Sequence, residues 1–457
     1  MKMKPSLLFI ASALFLFTIA CQKDREQAMP VNMQIQLGVD EAEVPFQVPY
    51  EKAKIVLESS AGGMKYEIQA DSEGKITLRD LVPGVYSINV TLQIPAADYS
   101  TLSGSNQEDD FFLNFSLPNK GIYADEILNA TLIPASTVGG FVIKQIYYLG
   151  SDIKKGANFR DNFIEIYNNS SQRLYADSLL IITVFGNQGK VSNDWTLPGT
   201  TQYDWSKSIN MDLSKGDPNT EFIYAKALFE IPSDATGKRY PVDPGESIII
   251  AATAANHAGS YVDVNGKTIT VENPELTVDL RDADFEVNTA DYNKRIGDTR
   301  APMASDIDNL DVDNVYIHFM SNSKEWLLDP KARESYAIAK VDRTVDVSKL
   351  PTYSKPEDRN VTSSTTLYPQ FPIKYIIDAV EIKTMVTKEI TARRLPIRLD
   401  AGATYGPGEQ YSSQSVVRRT AKSVNGRRIL KDTNNSNNDF GYLQRADATK
   451  GQTSFID

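Results

Sequence analysis

The feature that most constrains this chain is a recurring alternation of apolar and polar residues in short runs bounded by turn residues. The first such runs are Met33–Leu37, Lys54–Leu57 and Tyr66–Ile68. A period of two places one side of each run against a core and the other in water, which is typical of a β-strand with one buried face. The chain is therefore predicted to be mainly β and to form two antiparallel β-sandwich domains.

Length and charge narrow the class of protein. The 457 residues suffice for several domains with buried cores. Lys and Arg number 48 and Asp and Glu number 59, so the formal charge is −11. Because such a charge repels phosphate backbones, nucleic acid is not expected as a partner.

The N-terminus has the pattern of an export signal. A basic start, Met1–Lys4, precedes the apolar stretch Leu7–Ile19, which is too short to span a membrane. The run Thr18-Ile19-Ala20-Cys21 resembles the lipobox of Bacteroidetes lipoproteins. The resemblance implies a signal peptide over residues 1–20 and acyl chains on Cys21. The alternative is an ordinary signal that ends beside a cysteine by accident.

Cys21 is the chain's single cysteine, so disulfides are not expected to hold the fold. We assign residues 21–30 to a tether. Within it Lys23, Asp24 and Glu26 resemble the charged signal that sends some Bacteroidetes lipoproteins to the outer face of the outer membrane. The alternative is a solvated linker that carries no export signal.

A turn dipeptide marks the first domain, which we place at residues 31–135. Residues 74–90 alternate in polarity on both sides of Pro83-Gly84. The run from Leu81 to Tyr86 resembles the hairpin of small transthyretin-like and carboxypeptidase-regulatory-like β-sandwich modules, which implies an architecture and no chemistry. Tyr99–Asp110 is predicted to be an exposed loop.

Small residues over 135–140 predict a boundary, with a second domain over 139–457. The order of its strand candidates is similar to the lamin-tail type of immunoglobulin-like β-sandwich and to the uncharacterised DUF4876 family of Bacteroidetes lipoproteins. The chain departs from a minimal lamin-tail sandwich of about a hundred residues, because long insertions at about 185–240 and 255–372 separate the matched strands. A ligand site is expected first in these insertions. The segments that carry the resemblance are Phe141–Tyr148, Asp161–Ser170, Leu174–Ile181, Pro244–Ile250, Ile376–Glu381, Gln414–Arg419 and Asp432–Phe440.

Motifs of common catalytic sites are missing from the sequence. The two histidines, His257 and His318, lie outside zinc-ligand spacing and are expected to be structural. There is no nucleophile elbow, phosphate loop, dinucleotide fingerprint or C-x-x-C pair. We expect no enzyme. A carboxylate-based hydrolase stays an alternative, which requires two acids in one cleft and a raised pKa on one of them.

Two runs offer candidate binding residues. Acidic residues at 306–313 have the oxygen density that Ca²⁺ prefers, the alternative being a solvated loop; no other cofactor is expected. Acid–aromatic pairs on both sides of a Pro-Gly loop suit sugar rings, the alternative being that both tryptophans fill a core. The cation candidates are Asp306, Asp308, Asp311 and Asp313, and the ligand candidates are Asp194, Trp195, Tyr203, Asp204 and Trp205.

These features favour a non-catalytic lipoprotein anchored in the outer membrane and exposed on the cell surface. Its predicted role is binding of a ligand or nutrient, as an accessory to an outer-membrane transporter or as a receptor for a glycan or other surface ligand. The alternative is a structural or adhesive protein of the cell envelope. An exposed apolar patch on the insertions would favour a protein partner.

Overall fold

The computed structural model describes residues 29–457 apart from 60–63, 105–109, 135–139, 159, 171, 188, 190, 301, 343, 386–390 and 425. It confirms a mainly β fold with several sheets in a sandwich-like arrangement. The described residues contain three short α-helices: α1 Ala96–Ser103, α2 Ala290–Ile296 and α3 Ser436–Asp439.

The first seven strands form one sheet in the order β3-β2-β5-β6-β7-β1-β4. Its pairings are antiparallel except that of β1 with β7, which is parallel. The sheet closes on a core that includes Ile35, Leu57 and Ile88. The strands are β1 Val31–Val39, β2 Lys54–Ser59, β3 Lys65–Gln69, β4 Lys75–Leu81, β5 Gly84–Ile94, β6 Phe111–Ile122 and β7 Glu126–Pro134.

The turn at Pro83 joins two strands that do not pair with each other. In residues 75–94, all described, β4 pairs with β1, whereas β5 pairs with β2 and β6. The expected hairpin is therefore a crossover connection from β4, at one edge of the sheet, to β5 in its interior. The buried Tyr86 hydroxyl donates to the Val82 carbonyl over 2.6 Å and fixes this crossing.

The segment expected to be a loop at Tyr99–Asp110 begins with part of α1. The ring of Tyr99 stacks on Phe111 at 4.6 Å between centroids and meets Phe46 edge to face. This aromatic packing gives the helix a partner surface that the polar sequence around it does not reveal.

The remaining residues build two facing seven-stranded sheets. The second sheet has the order β18-β17-β14-β9-β8-β24-β27, and the third has β21-β22-β12-β11-β20-β23 with β19 also beside β12. The strands are β8 Phe141–Tyr147, β9 Phe163–Asn168, β10 Leu174–Tyr175, β11 Leu180–Val184, β12 Phe222–Glu230, β13 Pro241–Val242, β14 Ser247–Ala251, β15 Tyr261–Val262, β16 Thr268–Ile269, β17 Phe285–Glu286, β18 Asp313–Asn314, β19 Tyr316–Met320, β20 Ser335–Ala339, β21 Thr352–Tyr353, β22 Tyr368–Pro372, β23 Ile376–Val380, β24 Ser415–Arg418, β25 Thr420–Val424, β26 Arg427–Leu430 and β27 Phe440–Leu443.

The central strands of this sandwich are buried on both faces. Every residue of β8, β9, β11, β14 and β20 is buried. Ile166 and Ile250 from the second sheet meet Phe229 and Ile338 from the third in one core. Strands covered on both faces carry near-continuous apolar runs rather than alternation, which matches Leu180–Val184.

The segments expected to be insertions supply central strands. β12 lies within 185–240 and pairs with β11, β19 and β22. β20 lies within 255–372 and pairs with β11 and β23. These segments are therefore part of the third sheet.

The buried side chain of Arg418 forms ion pairs that link β24 to β23 and to the segment before β27. The Arg418 guanidinium lies 2.5 Å from an Asp378 carboxylate oxygen and 3.1 Å from an oxygen of Asp432. Asp439 accepts the backbone N–H and hydroxyl of Thr433 and lies 3.8 Å from Arg418. The run 432–439 folds around this cation.

The part of the chain that forms the first sheet meets the part that forms the second and third sheets through polar contacts. The Asn114 side chain donates to the Thr433 carbonyl over 2.8 Å, and Asn438 donates to the Thr91 hydroxyl over 3.0 Å. Arg398 lies 2.6 Å from Glu43.

Candidate ligand-binding cleft

The aromatic residues of the acid–aromatic pairs pack in a small core. This agrees with the alternative stated above, in which the tryptophans fill a core. Trp205 and Tyr203 are buried, and the Trp205 ring stacks on Tyr224 at 3.5 Å. Asp204 is also buried, where it accepts from the Asn219 amide over 2.9 Å. Asp194 is exposed and Trp195 half-buried against the same core. Since the buried rings have no free face, this group offers no stacking platform for a sugar.

The four candidate cation ligands each have a different environment. Asp306 is buried and accepts from the Thr289 backbone N–H and hydroxyl, and burial raises its pKa to about 6. Asp308 accepts from the Asn314 amide. Asp313 accepts from the Tyr240 hydroxyl over 2.7 Å and pairs with Arg239, whereas Asp311 is exposed. Among the described residues no three acidic, His or Cys side chains converge as metal ligands. This geometry does not support the predicted Ca²⁺ site.

Both histidines have structural surroundings. His257 is buried, its Nε2 lies 3.0 Å from the Thr253 carbonyl, and burial lowers its pKa to about 4. His318 Nε2 lies 2.6 Å from Glu230, and this partner lowers the pKa of that carboxyl. Cys21, Lys23, Asp24 and Glu26 lie outside the described residues.

A cleft of about 210 Å³ opens within the segments where a ligand site was expected. Its walls come from β11, β12, the end of β19 and the loop that leads into β20. At about 30 Å³ per water molecule, the cleft holds a small polar molecule or the end of a longer one. The side chains that define it are Thr183, Lys226, Asn322, Glu325, Trp326, Asp329, Arg333 and Glu334.

Trp326 forms the fixed wall of the cleft. Its indole N–H donates to the Thr183 hydroxyl over 3.1 Å, and its ring meets Phe229 edge to face at 5.2 Å. The ring is almost entirely buried. An aromatic wall locked on two sides is preorganised, so a ligand does not have to order it.

Two ion pairs line the interior. The Lys226 ammonium pairs with the buried Glu334 carboxylate. Arg333 donates two hydrogen bonds to the Asp329 carboxylate, from Nε over 2.5 Å and from Nη2 over 3.0 Å. Burial raises the pKa of Glu334, while Lys226 opposes the rise. The cleft thus presents many hydrogen-bonding groups whose charges are largely neutralised.

Two further polar side chains, Asn322 and Glu325, lie at the mouth of the cleft. Asn322 is exposed and Glu325 half-buried. Glu325 accepts from the Ser305 hydroxyl over 2.8 Å and lies 3.5 Å from Arg160. With Glu325 included, two cations and three carboxylates line the cleft, a formal charge of −1.

The sequence analysis missed these residues, although one signal was present. Glu325-Trp326 is an acid–aromatic pair of the kind used to select Asp194-Trp195 and Asp204-Trp205. Thr183, which accepts from the Trp326 indole, and Lys226, which lines the same cleft, lie far away in sequence. Periodicity alone therefore does not bring them to Trp326.

Comparison with known proteins gives a family and distant structures. Residues 243–446 match the family model described as "Protein of unknown function (DUF4876)", which confirms the resemblance seen in the sequence. No curated protein matches the chain. In the described part of the chain, no helix is both long and apolar enough to cross a bilayer.

Several solved Bacteroides structures are similar to the chain. A DUF4876 family protein from Bacteroides thetaiotaomicron is 23% identical over 90% of this chain and 95% of its own, with a TM-score of 0.49. A candidate adhesin from Bacteroides ovatus is 9% identical over 36% of this chain and 59% of its own, with a TM-score of 0.17. A candidate carbohydrate-binding protein from Bacteroides uniformis is 12% identical over 49% of this chain and 99% of its own, with a TM-score of 0.16.

Proposed function

We propose that the protein, whose residues 243–446 match the DUF4876 family model, is a non-catalytic surface lipoprotein whose cleft captures a small polar ligand. The expected ligand is an uncharged, hydroxyl-rich molecule such as the terminal residue of a glycan. The observation that carries this proposal is the pairing of charges in the cleft.

Hydroxyl groups suit this lining for a physical reason. A hydroxyl group both donates and accepts hydrogen bonds. A carboxylate can accept from it while a neighbouring ammonium or guanidinium donates to it, so a lining with both kinds of group can satisfy the hydroxyl fully. Lys226 and Glu334 already neutralise each other, as do Arg333 and Asp329. A charged ligand would have to disrupt one of these pairs, whereas a neutral polyol can add to them.

The location rests on the sequence. The lipobox ending at Cys21 supports acylation, and several acyl chains on one residue give stable anchoring. Lys23, Asp24 and Glu26 support export to the outer face of the outer membrane. There the protein would serve a transporter or hold a glycan.

A plugged cleft tests the binding proposal. Asn322→Trp places a large ring at the mouth, and the matched control Asn129→Trp places the same ring on an exposed position of β7. Residues 22–457 of each protein are screened on an array of mono- and oligosaccharides. We expect binding by the wild type and the control and its loss in Asn322→Trp; equal binding by all three would exclude the cleft.

A protease test addresses the location. Intact cells that express the wild type, Cys21→Ala or alanine replacements at Lys23, Asp24 and Glu26 are treated with protease. We expect cleavage of the wild type only. Protection of the wild type would place it inside the envelope and favour a scaffold.

A carboxylate hydrolase is the second candidate. Asp329 and Glu334 line one cleft, and the pKa of Glu334 is raised. Both carboxylates, however, are held by cations, which suits fixed acceptors better than groups that transfer a proton. Release of reducing sugar from array-positive glycans, lost in Glu334→Gln with binding retained, would favour this candidate.

A further inference from the structure

Exposed apolar side chains gather at one end of the first domain. Met29, Val82, Tyr123 and Ile127 are 81%, 45%, 68% and 67% exposed. Among its described residues, the only other large apolar side chain in this exposed class is Leu102, at 39%. Scattered exposed hydrophobics need no explanation, but four of five at one end do.

Backbone contacts bring these residues together where the chain enters the domain. Val31 pairs with Leu81, next to Val82. The Asn32 backbone N–H donates to Asp125 over 2.7 Å, in the turn that carries Tyr123. Gln34 pairs with Ile127 on β7. We call Met29, Val82, Tyr123 and Ile127 the entry patch.

The length of the tether fixes what can lie beside the entry patch. Eight steps of chain separate Cys21 from Met29, and a fully extended chain spans at most about 3.5 Å per residue, or roughly 28 Å in total. An acylated Cys21 would therefore hold the entry patch close to the lipid surface.

The opposite end of the domain cannot take that position as readily. Leu102 lies on α1, which precedes the start of β6, whereas Tyr123 follows the end of β6. The eleven steps along the twelve residues of β6, at about 3.3 Å each, put roughly 36 Å between these two ends.

We propose that the entry patch is a membrane contact, in which its four side chains lie in the headgroup region of the bilayer that holds the lipid anchor. This inference rests on the acylation of Cys21 in the proposed function. Tyrosine favours the membrane–water interface because its ring is apolar and its hydroxyl remains hydrated. The contact would set the orientation of the first domain on the membrane.

The charges at this end point to an apolar contact rather than an electrostatic one. Lys120 pairs with Glu126 at 2.8 Å, and Asn32 hydrogen-bonds lower the pKa of Asp125, which keeps it ionised. Arg79, near the end of β4, is exposed and lies beside the exposed Asp80 in sequence. A single cation next to a carboxylate gives anionic lipid little to attract, so the contact should depend little on lipid charge.

Site-directed spin labels test the proposal in the acylated full chain. Cys21 is the only cysteine, so its acylation leaves an introduced cysteine as the sole reactive thiol. Tyr123→Cys and Ile127→Cys probe the entry patch, and Leu102→Cys is the matched control. Each labelled protein is reconstituted into phosphatidylethanolamine–phosphatidylglycerol vesicles and separately into phosphatidylcholine vesicles.

We expect labels at 123 and 127 to collide at least threefold more with oxygen than with a water-soluble nickel complex in both vesicle types, and the label at 102 to show the reverse. Vesicle-bound protein whose labels at 123 and 127 stay open to nickel would overturn the proposal while leaving the anchor intact. Shielding from nickel that persists in the unacylated Cys21→Ala protein, in buffer without vesicles or detergent, would also overturn it, in favour of a second copy. If the protein does not float with vesicles and both Cys21 and the introduced cysteine react, Cys21 is not acylated. That result would overturn the lipid anchor and, with it, this membrane contact.

Discussion

The indole of Trp326 and the hydroxyl of Thr183 are joined by a 3.1 Å hydrogen bond across 143 positions of sequence. Both side chains are buried. The bond ties the loop before β20 to β11 and gives the cleft a wall that does not depend on a ligand.

Replacing Thr183 by valine should destabilise the fold by about 1–3 kcal/mol, because valine keeps the shape but leaves the buried indole N–H without a partner. Urea unfolding measures the loss. The control is Thr77→Val, at an exposed position of β4, which should change little. Equal stability of Thr183→Val and the wild type would show that the hydrogen bond contributes nothing.

Gly186→Ala should destabilise the protein and weaken ligand capture. A Cβ on Gly186 would lie 1.6 Å from the Arg333 carbonyl oxygen, so the backbone that carries Arg333 must move. Overpacking of this kind typically costs about 1–3 kcal/mol. Gly189→Ala is the matched control in the same loop, because its Cβ would meet nothing within 4 Å. Matching unfolding midpoints for the two variants would contradict the prediction.

Asp161 should make stability fall as pH rises. The side chain is fully buried, Oδ1 has no hydrogen-bond partner, and burial raises its pKa to about 7. The folded state therefore holds a proton that the unfolded chain, with an ordinary pKa of 3.8, has released, so stability declines between about pH 4 and pH 7.

Asp161→Asn removes this titration. We expect the variant to gain stability relative to the wild type as pH rises from 4 to 8, by a few kcal/mol, since each unit of pKa shift corresponds to about 1.4 kcal/mol. Unfolding in urea across this range gives the difference. Asp282→Asn, at an exposed position, should show no such trend, and a flat difference for Asp161→Asn would refute the assignment.

Arg418→Met should cost about 3–5 kcal/mol at pH 8, because it leaves the buried carboxylates of Asp378 and Asp439 without their cation. Burial raises the pKa of Asp439 to about 7, so at pH 5 the loss should be smaller. Thermal unfolding at both pH values checks this. The neighbouring Arg419→Met, at an exposed position, should have little effect, and a cost for Arg418→Met that does not depend on pH would contradict the argument.

Local patterns in the sequence predict strands well and their partners poorly. The alternation at Met33–Leu37 and Lys54–Leu57 falls within β1 and β2. The crossing at Pro83 was expected to be a hairpin, because a turn dipeptide does not say which strands will pair. Such pairing is decided by side chains that meet only in the folded chain.

The same limit explains the site. Trp205 was selected by its acidic neighbour, yet a place in the sequence beside an acid does not distinguish a buried ring from an exposed one. The cleft needs Thr183, Lys226 and Glu334 together, and these come from three strands or strand ends that are distant in sequence. The sequence pointed to the two long segments, where most of the candidate cleft lies, but it could not choose the residues that line the cleft.

The position of β11 has a consequence for how the protein becomes folded. β11 pairs on one side with β12 and on the other with β20, whose first residues, Phe222 and Ser335, are separated by more than a hundred positions. The third sheet therefore cannot be completed by any N-terminal portion of the chain, and such non-local pairing is slow. During synthesis, an edge of β11 therefore stays open and vulnerable to proteases and aggregation until β20, Ser335–Ala339, has emerged.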